Sequence, residues 1–221
     1  MVNAVSELDD LNRSARIARE GTKDAAAMAF HALPWLGAAI DEDRAADRFC
    51  AWGRSTVVDE NTGTEVIPEA LFDALHERAG VDAAWPIGNA GLLHSYGYLL
   101  STITTPYGLK RERWLGESLS AACGLPPDAF HPWRAGPTLL ARASAAASAL
   151  LAAPAASASL RVADRETRVA VSATSGPAAL AYAVAPALDA ASLLVTLFPV
   201  AEASAPLDEF TAAPRLRWNA A

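Results

Sequence analysis

The first fifty residues carry a helical pattern of hydrophobic positions. Between positions 9 and 40, apolar residues recur every three or four places, which is the spacing of one helix face. Thr22-Lys23-Asp24 is a typical helix start, and Pro34 marks a helix boundary. We therefore predict two helices, the second ending before Pro34, and a shorter helix over 42–49.

The pattern changes after the helical region. Two β-branched runs, 54–58 and 64–67, lie on either side of a turn that ends in Gly63, and this arrangement predicts a hairpin. Pro68 then suits the first position of a helix. Gly80 is expected to end that helix.

Residues 92–114 hold most of the unusual polar side chains. The segment alternates and then breaks at Thr105-Pro-Tyr-Gly108, which predicts a long strand, a turn and a second strand. Alternate residues of a strand share a face, so the even positions should form one polar and aromatic row. That row consists of His94, Tyr96, Tyr98, Thr102 and Thr104. The second strand adds Lys110, Arg111, Glu112, Arg113 and Trp114.

The rest of the chain completes an α+β pattern. Helices are predicted over 116–123 and 137–153, and an antiparallel meander follows. Its strands are predicted at 159–163, 167–173, 178–185 and 192–200. We expect N-terminal helices packed on a largely antiparallel, curled or barrel-like sheet. The whole chain, 1–221, should be a single domain with helices in 1–50, mixed structure in 51–153, C-terminal strands in 158–200 and a tail over 201–221.

Composition and charge narrow the classes of function. In 221 residues, 52% are hydrophobic, so the chain can bury a sizeable core without disulfides or metal. The 18 basic and 25 acidic residues give a net charge of −7. A nucleic-acid binder needs a basic stripe to displace counterions from phosphate, and none is visible. Anionic membrane surfaces are disfavoured for the same reason.

The sequence lacks the common motifs for cofactors and metals. It has no GxGxxG, GxxxxGK[ST], GxSxG, HExxH or CxxC, so we expect neither a cofactor nor a metal. Cys50 and Cys123 are isolated. The first ten residues are too polar for a signal peptide, and the apolar stretches are too interrupted for a membrane span. We therefore expect a cytoplasmic protein.

The polar row and the charged strand after it are predicted to form a small-molecule pocket. Aromatic rings supply stacking area, arginines bind a carboxylate, and His or Glu moves protons. The alternative is a solvated sheet face, because Tyr and Thr favour strands and charge runs often mark an exposed edge. His31 and His76 lie in helical patterns and are expected to be structural or exposed. His131 is a loop histidine without an evident partner.

Four segments carry a family resemblance: GNAGLLHSYGY at 88–98, TPYGLKRERW at 105–114, VTLFPV at 195–200 and PRLRWN at 214–219. They resemble segments of the β-carboline-forming Pictet–Spenglerases of the marinacarboline type, which are bacterial natural-product enzymes. The resemblance implies a dimeric, cofactor-free enzyme built around a curled sheet. It also implies condensation of tryptophan, or a related arylethylamine, with an aldehyde.

The resemblance implies catalytic roles as well. The family uses a glutamate base assisted by arginine and histidine, and Arg78 and His94 could take the latter two roles. No glutamate lies on the predicted His94 strand, so Glu112 or Glu117 is the expected base. The expected substrate-binding residues are Asn89, Tyr96, Tyr98, Thr102, Thr104, Tyr107, Lys110, Arg111, Arg113 and Trp114.

Two other functions are compatible with the same residues. Lys110 lies beside two arginines in the sequence, which favours an imine with a carbonyl substrate and suits an amino-acid lyase or deaminase. A non-catalytic module could also hold a metabolite on the same aromatic face.

Overall fold

The fold is α+β, as the sequence predicts. The computed structural model describes the backbone of residues 4–105, 108–153, 157–162, 165–172, 178–185 and 190–212. Within these ranges, helices combine with antiparallel sheets, and none of the sheets closes into a barrel. No helix in this part of the chain is long and apolar enough to cross a lipid bilayer.

Three helices form the N-terminal layer. They are α1 (Ala4–Ala18), α2 (Lys23–His31) and α3 (Pro34–Ala45). The side chain of Thr22 accepts a hydrogen bond from the backbone nitrogen of Ala25 at 3.1 Å, which caps α2 where the sequence predicts a helix start. The helix predicted over 42–49 is wrong, because Pro34 begins a helix that runs through its first part. A 3₁₀ turn (Arg48–Ala51) follows.

The hairpin predicted around Gly63 pairs differently. Strand β1 (Arg54–Thr56) pairs antiparallel with β2 (Ile87–Asn89). Only a single bridge, between Val58 and Glu65, joins the two β-branched runs. The second run leads directly into a helix, which leaves too few extended residues for a ladder.

The helix predicted after Pro68 is present as α4 (Glu69–Ala79). Gly80 follows it with φ at 64°, a left-handed conformation that glycine adopts without steric strain. The helix therefore ends where the sequence indicates.

The strands predicted over 92–114 are wrong. The segment forms two helical pieces, a two-stranded ladder and one further helical turn. These are α5 (Ala90–Ser95), a 3₁₀ turn (Gly97–Leu100), β3 (Thr104–Thr105), β4 (Gly108–Leu109) and α6 (Glu112–Leu115). Every residue from 88 to 101 is buried. Burial on all sides removes the contrast between polar and apolar faces from which a helix and a strand can be told apart.

The remaining elements follow the prediction closely. They are α7 (Glu117–Ala122), α8 (Leu139–Ala152), β5 (Ser157–Val162), β6 (Arg165–Val171), β7 (Ala178–Ala185) and β8 (Leu193–Val200). The four strands form one antiparallel sheet in chain order, which confirms the meander. A ninth helix, α9 (Ser204–Ala212), occupies part of the expected tail.

The central strand β7 is buried on both faces. Ala179, Ala181 and Ala183 face the main core. The alternate residues face a second, smaller core that includes Tyr182 and Phe210. Because alanine has a small side chain, the helices of the main core can approach the sheet closely.

A buried carboxylate ties the helices together. Asp43 of α3 is fully buried and accepts hydrogen bonds from the Tyr96 hydroxyl, from Thr138 at 2.5 Å and from the Arg48 guanidinium at 2.7 Å. Burial and the Asp43 charge raise the pKa of Tyr96 well above its ordinary value. Asp43 thus links α3 to the end of α5 and to the start of α8.

Candidate functional site

The site is built around His94, in the last turn of α5. Asn89 sets the start of this helix by accepting a hydrogen bond from the Leu92 backbone nitrogen at 3.0 Å. The helix then carries His94 to a position where its Nε2 lies 3.0 Å from the Ser55 hydroxyl of β1. Both side chains are buried.

The His94 ring is held in its neutral form. Burial lowers the pKa of His94 well below its ordinary value, and the positive charges of Arg113 and Lys110 lower it further. Its Nδ1 is buried and makes no hydrogen bond of normal geometry with the described residues, although the Val195 carbonyl nearby weakly favours protonation. A neutral imidazole at this position has the properties of a general base.

Tyr98 packs against His94 one helical turn further along. The two ring centroids are 4.9 Å apart, and the Tyr98 hydroxyl lies 3.4 Å from the Thr56 carbonyl. Burial raises the pKa of Tyr98 to about 12. Tyr98 is therefore a neutral hydrogen-bond donor at physiological pH.

Lys110 and Asp59 form an ion pair beside Tyr98. Asp59 lies in a turn where its carboxylate accepts hydrogen bonds from the backbone nitrogens of Asn61 and Thr62 at 3.0 and 3.1 Å. Burial acts to raise the pKa of Asp59, but the hydrogen bonds from Lys110 and the turn outweigh burial and lower it. The Lys110 ammonium lies 5.7 Å from the centre of the Tyr98 ring.

Arg113 is a half-buried cation without a carboxylate partner among the described residues. Its guanidinium carbon lies 5.5 Å from the ring centre of Tyr98, 5.9 Å from that of Trp114 and 5.8 Å from that of Phe198. One nitrogen donates to the Thr196 hydroxyl at 3.3 Å. Burial lowers the pKa of this guanidinium, because nearby groups compensate its charge only in part.

We call these six residues the His94 cluster: Ser55, Asp59, His94, Tyr98, Lys110 and Arg113. With His94 neutral, the cluster contains two cations, Lys110 and Arg113, and one carboxylate, Asp59, so it has a surplus of positive charge. Lys110 and Arg113 retain some exposure, so solvent reaches the cluster from their side. The arrangement can attract a small anion, stack an aromatic group and accept a proton.

Several predicted site residues have structural contacts instead. Tyr96 points to the buried Asp43, and Trp114 is a core side chain that donates to the His94 carbonyl at 2.7 Å. The Asn89 amide caps α5 and donates to the Phe49 carbonyl at 3.0 Å. The expectation that Tyr96 shares a face with His94 is wrong, because the segment is helical.

The structure does not bring the predicted glutamates to His94. Glu112 and Glu117 are exposed, and Glu112 accepts from the Leu109 backbone nitrogen at 3.2 Å. Arg78 forms a surface ion pair with Asp41 at 2.6 Å. Of the remaining predicted contacts, Thr104 is exposed, Thr102 and Arg111 line a separate groove, and Tyr107 lies outside the described residues.

The other histidines have separate positions. His76 is buried, with Nδ1 2.8 Å from the Phe72 carbonyl and Nε2 accepting from the Asn89 backbone nitrogen at 3.1 Å, so it is structural. His31 is exposed. His131, for which the sequence shows no partner, has Nε2 at 3.2 Å from the Leu115 carbonyl.

Sequence reasoning missed several residues at the site. Ser55 and Asp59 lie in the region assigned to a hairpin, and Thr196 and Phe198 lie on β8 among apolar residues. Thr196 and Phe198 are two positions apart, so they share a strand face. A hydroxyl on that otherwise apolar strand was the signal available.

Among the described residues, no group of three His, Cys, Asp or Glu side chains could hold a metal ion. No family model, no curated protein and no solved structure matches this chain.

Proposed function

We propose that the protein is an enzyme acting on a small amine that carries a carboxylate. Its reaction would be a Pictet–Spengler-type condensation of tryptophan, or a related arylethylamine, with an aldehyde. The observation that supports this most is the neutral, buried His94 in one cluster with Arg113, which has no carboxylate partner among the described residues.

The His94 cluster can supply the base for the last step of this reaction. The amine and the aldehyde condense to an iminium and release water. The indole carbon then attacks the iminium carbon, and a base removes the ring proton to restore aromaticity. His94 takes the role of base in place of Glu112 or Glu117, because both glutamates are exposed and neither contacts the cluster.

Arg113 and the surrounding rings would bind the substrate. A guanidinium can bind a carboxylate through two parallel hydrogen bonds, and Arg113 has no competing ion pair with any residue that the structure describes. Phe198, which is partly exposed beside Arg113, offers a ring for the indole. The homodimer that the family resemblance implies remains a prediction.

The direct test compares tryptophan with tryptamine, which lacks the carboxylate. Each amine is supplied with a reactive aldehyde, and β-carboline formation is followed by fluorescence. In Arg113→Met, the KM for tryptophan should rise about tenfold or more, because a hydrogen bond to a charged group is lost. The KM for tryptamine should change much less.

Arg134→Met is the matched control, because Arg134 pairs with Asp128 at the surface. It should leave both KM values unchanged. Equal effects of Arg113→Met on the two amines would contradict carboxylate binding by Arg113. Absence of product with every amine and aldehyde pair would contradict the reaction itself.

A second candidate function uses Lys110 as an imine-forming lysine. The observation that favours it is the position of the Lys110 amine in the same cluster, over the Tyr98 ring. The ion pair with Asp59 opposes it, since the amine would have to lose its proton and leave the carboxylate before it could attack a carbonyl.

Borohydride trapping separates the two mechanisms. If Lys110 forms an imine with a keto or aldehyde substrate, reduction in the presence of substrate should add the substrate's mass at Lys110. Lys110→Met should then abolish turnover, while Lys23→Met on the exposed part of α2 should have no effect. Turnover that persists in Lys110→Met would exclude the imine mechanism.

A further inference from the structure

A polar groove lies between α1 and the segment before α6, away from the His94 cluster. Its volume is about 570 Å³, and it is open to solvent. The residues that line it are Asp9, Asn12, Arg13, Arg16, Thr102 and Arg111. The groove thus combines three guanidinium groups in a chain whose net charge is −7.

The charges of these arginines are compensated only in part. Nη1 of Arg111 is buried and has no hydrogen-bond partner among the described residues. Burial lowers the pKa of this side chain, and the Glu112 charge acts in the opposite direction. Within the described part of the chain, the Arg16 side chain donates one hydrogen bond, to the Asn12 carbonyl at 3.4 Å, and forms no ion pair. Arg13 pairs with Asp10 at 3.1 Å, but both side chains are well exposed, so this pair is weak.

We propose that this groove binds an anion with at least two negative charges, such as the phosphoryl group of a small metabolite. Three guanidinium groups line the groove, so an oxyanion placed there would accept hydrogen bonds from more than one of them. Arg13 and Arg16 of α1 bring the positive charge of the groove to three, which is more than a ligand with a single carboxylate would neutralise. The Thr102 hydroxyl adds a neutral donor.

The groove is distinct from the His94 cluster. Arg111 faces the groove, whereas its neighbours Lys110 and Arg113 contact Tyr98. The anion site is therefore independent of the proposed condensation, and an experiment that contradicts one proposal leaves the other untouched.

Calorimetric titration with inorganic pyrophosphate and with acetate tests the proposal. Pyrophosphate should bind at least about tenfold more tightly than acetate, because it engages more than one guanidinium. Arg111→Met and Arg16→Gln should each weaken pyrophosphate binding about tenfold. Arg19→Gln is the matched control, since Arg19 is exposed near the end of α1 and does not line the groove.

A variant that strengthens binding separates a loss of the site from a loss of folding, because unfolding can only weaken binding. Asp9→Asn removes a carboxylate from the groove and should tighten pyrophosphate binding about threefold, the range of an exposed charge interaction. Equal binding of acetate and pyrophosphate would overturn the proposal. So would equal losses in Arg19→Gln and Arg16→Gln, or weaker binding in Asp9→Asn.

Discussion

Replacing Asp43 by alanine is expected to lower the free energy of unfolding by about 3–5 kcal/mol, because buried hydroxyls that lose their acceptor cost about 1–3 kcal/mol each. The Arg48 guanidinium also loses this partner, although it keeps its ion pair with Glu42 at 3.1 Å. The change deprives the hydroxyls of Tyr96 and Thr138 of their shared acceptor. Each donor left unsatisfied in the interior adds to the loss.

Asp41→Ala provides the control, because it removes the same side chain two residues away on α3. The Asp41 and Arg78 side chains are 56% and 41% exposed, so this loss should stay below about 1 kcal/mol. Urea unfolding followed by circular dichroism measures both values. Similar losses in the two variants would show that Asp43 is not the buried link described above.

Replacing His94 by glutamine is expected to lower kcat for the condensation by about 10²–10⁴, the range for losing a proton-transfer group. Glutamine can still hydrogen-bond to Ser55, so the fold should keep a cooperative melt. The KM for tryptophan should change little, because Arg113 rather than His94 is proposed to bind the carboxylate.

The dependence of the reaction rate on pH provides a second test, because a histidine with a purely structural role would not affect it. Because the pKa of His94 lies well below its ordinary value, the neutral base should persist as the pH falls through 6.5, the usual value for histidine. The wild-type rate should therefore decline only at lower pH. His131→Gln should keep both the rate and the profile. Unchanged kcat in His94→Gln would favour a module that binds a metabolite without transforming it.

The fold could be predicted where local signals are strong. Gly80 and the threonine cap of α2 fix helix ends through backbone geometry and one hydrogen bond. The final meander shows β-rich runs separated by turns. The segment over 92–114 could not be assigned correctly, because its buried part contains few polar positions facing water. Sequence periodicity reports exposure to solvent, and residues 92–101 have almost none.

Part of the site was predicted for a reason that proved wrong. His94 and Tyr98 are four positions apart, a separation that places two side chains on the same side in a strand and in a helix alike. Tyr96, two positions from His94, shares its side only in a strand, and it points elsewhere. Asp59 could not be found from the sequence, because only the tertiary fold brings it close to residues so distant in the chain.

The way the His94 cluster is assembled has a consequence for folding. Ser55, the helical segment with His94, the stretch with Lys110 and Arg113, and Thr196 of β8 come from four separate parts of the chain. Contacts between positions so far apart form late, since the chain entropy of closing long loops opposes them. The sheet that supplies Thr196 is a meander of sequential neighbours. The surroundings of His94 are complete only after that sheet has packed on the helices, so nascent chains that stop before β8 contain the histidine without its candidate site.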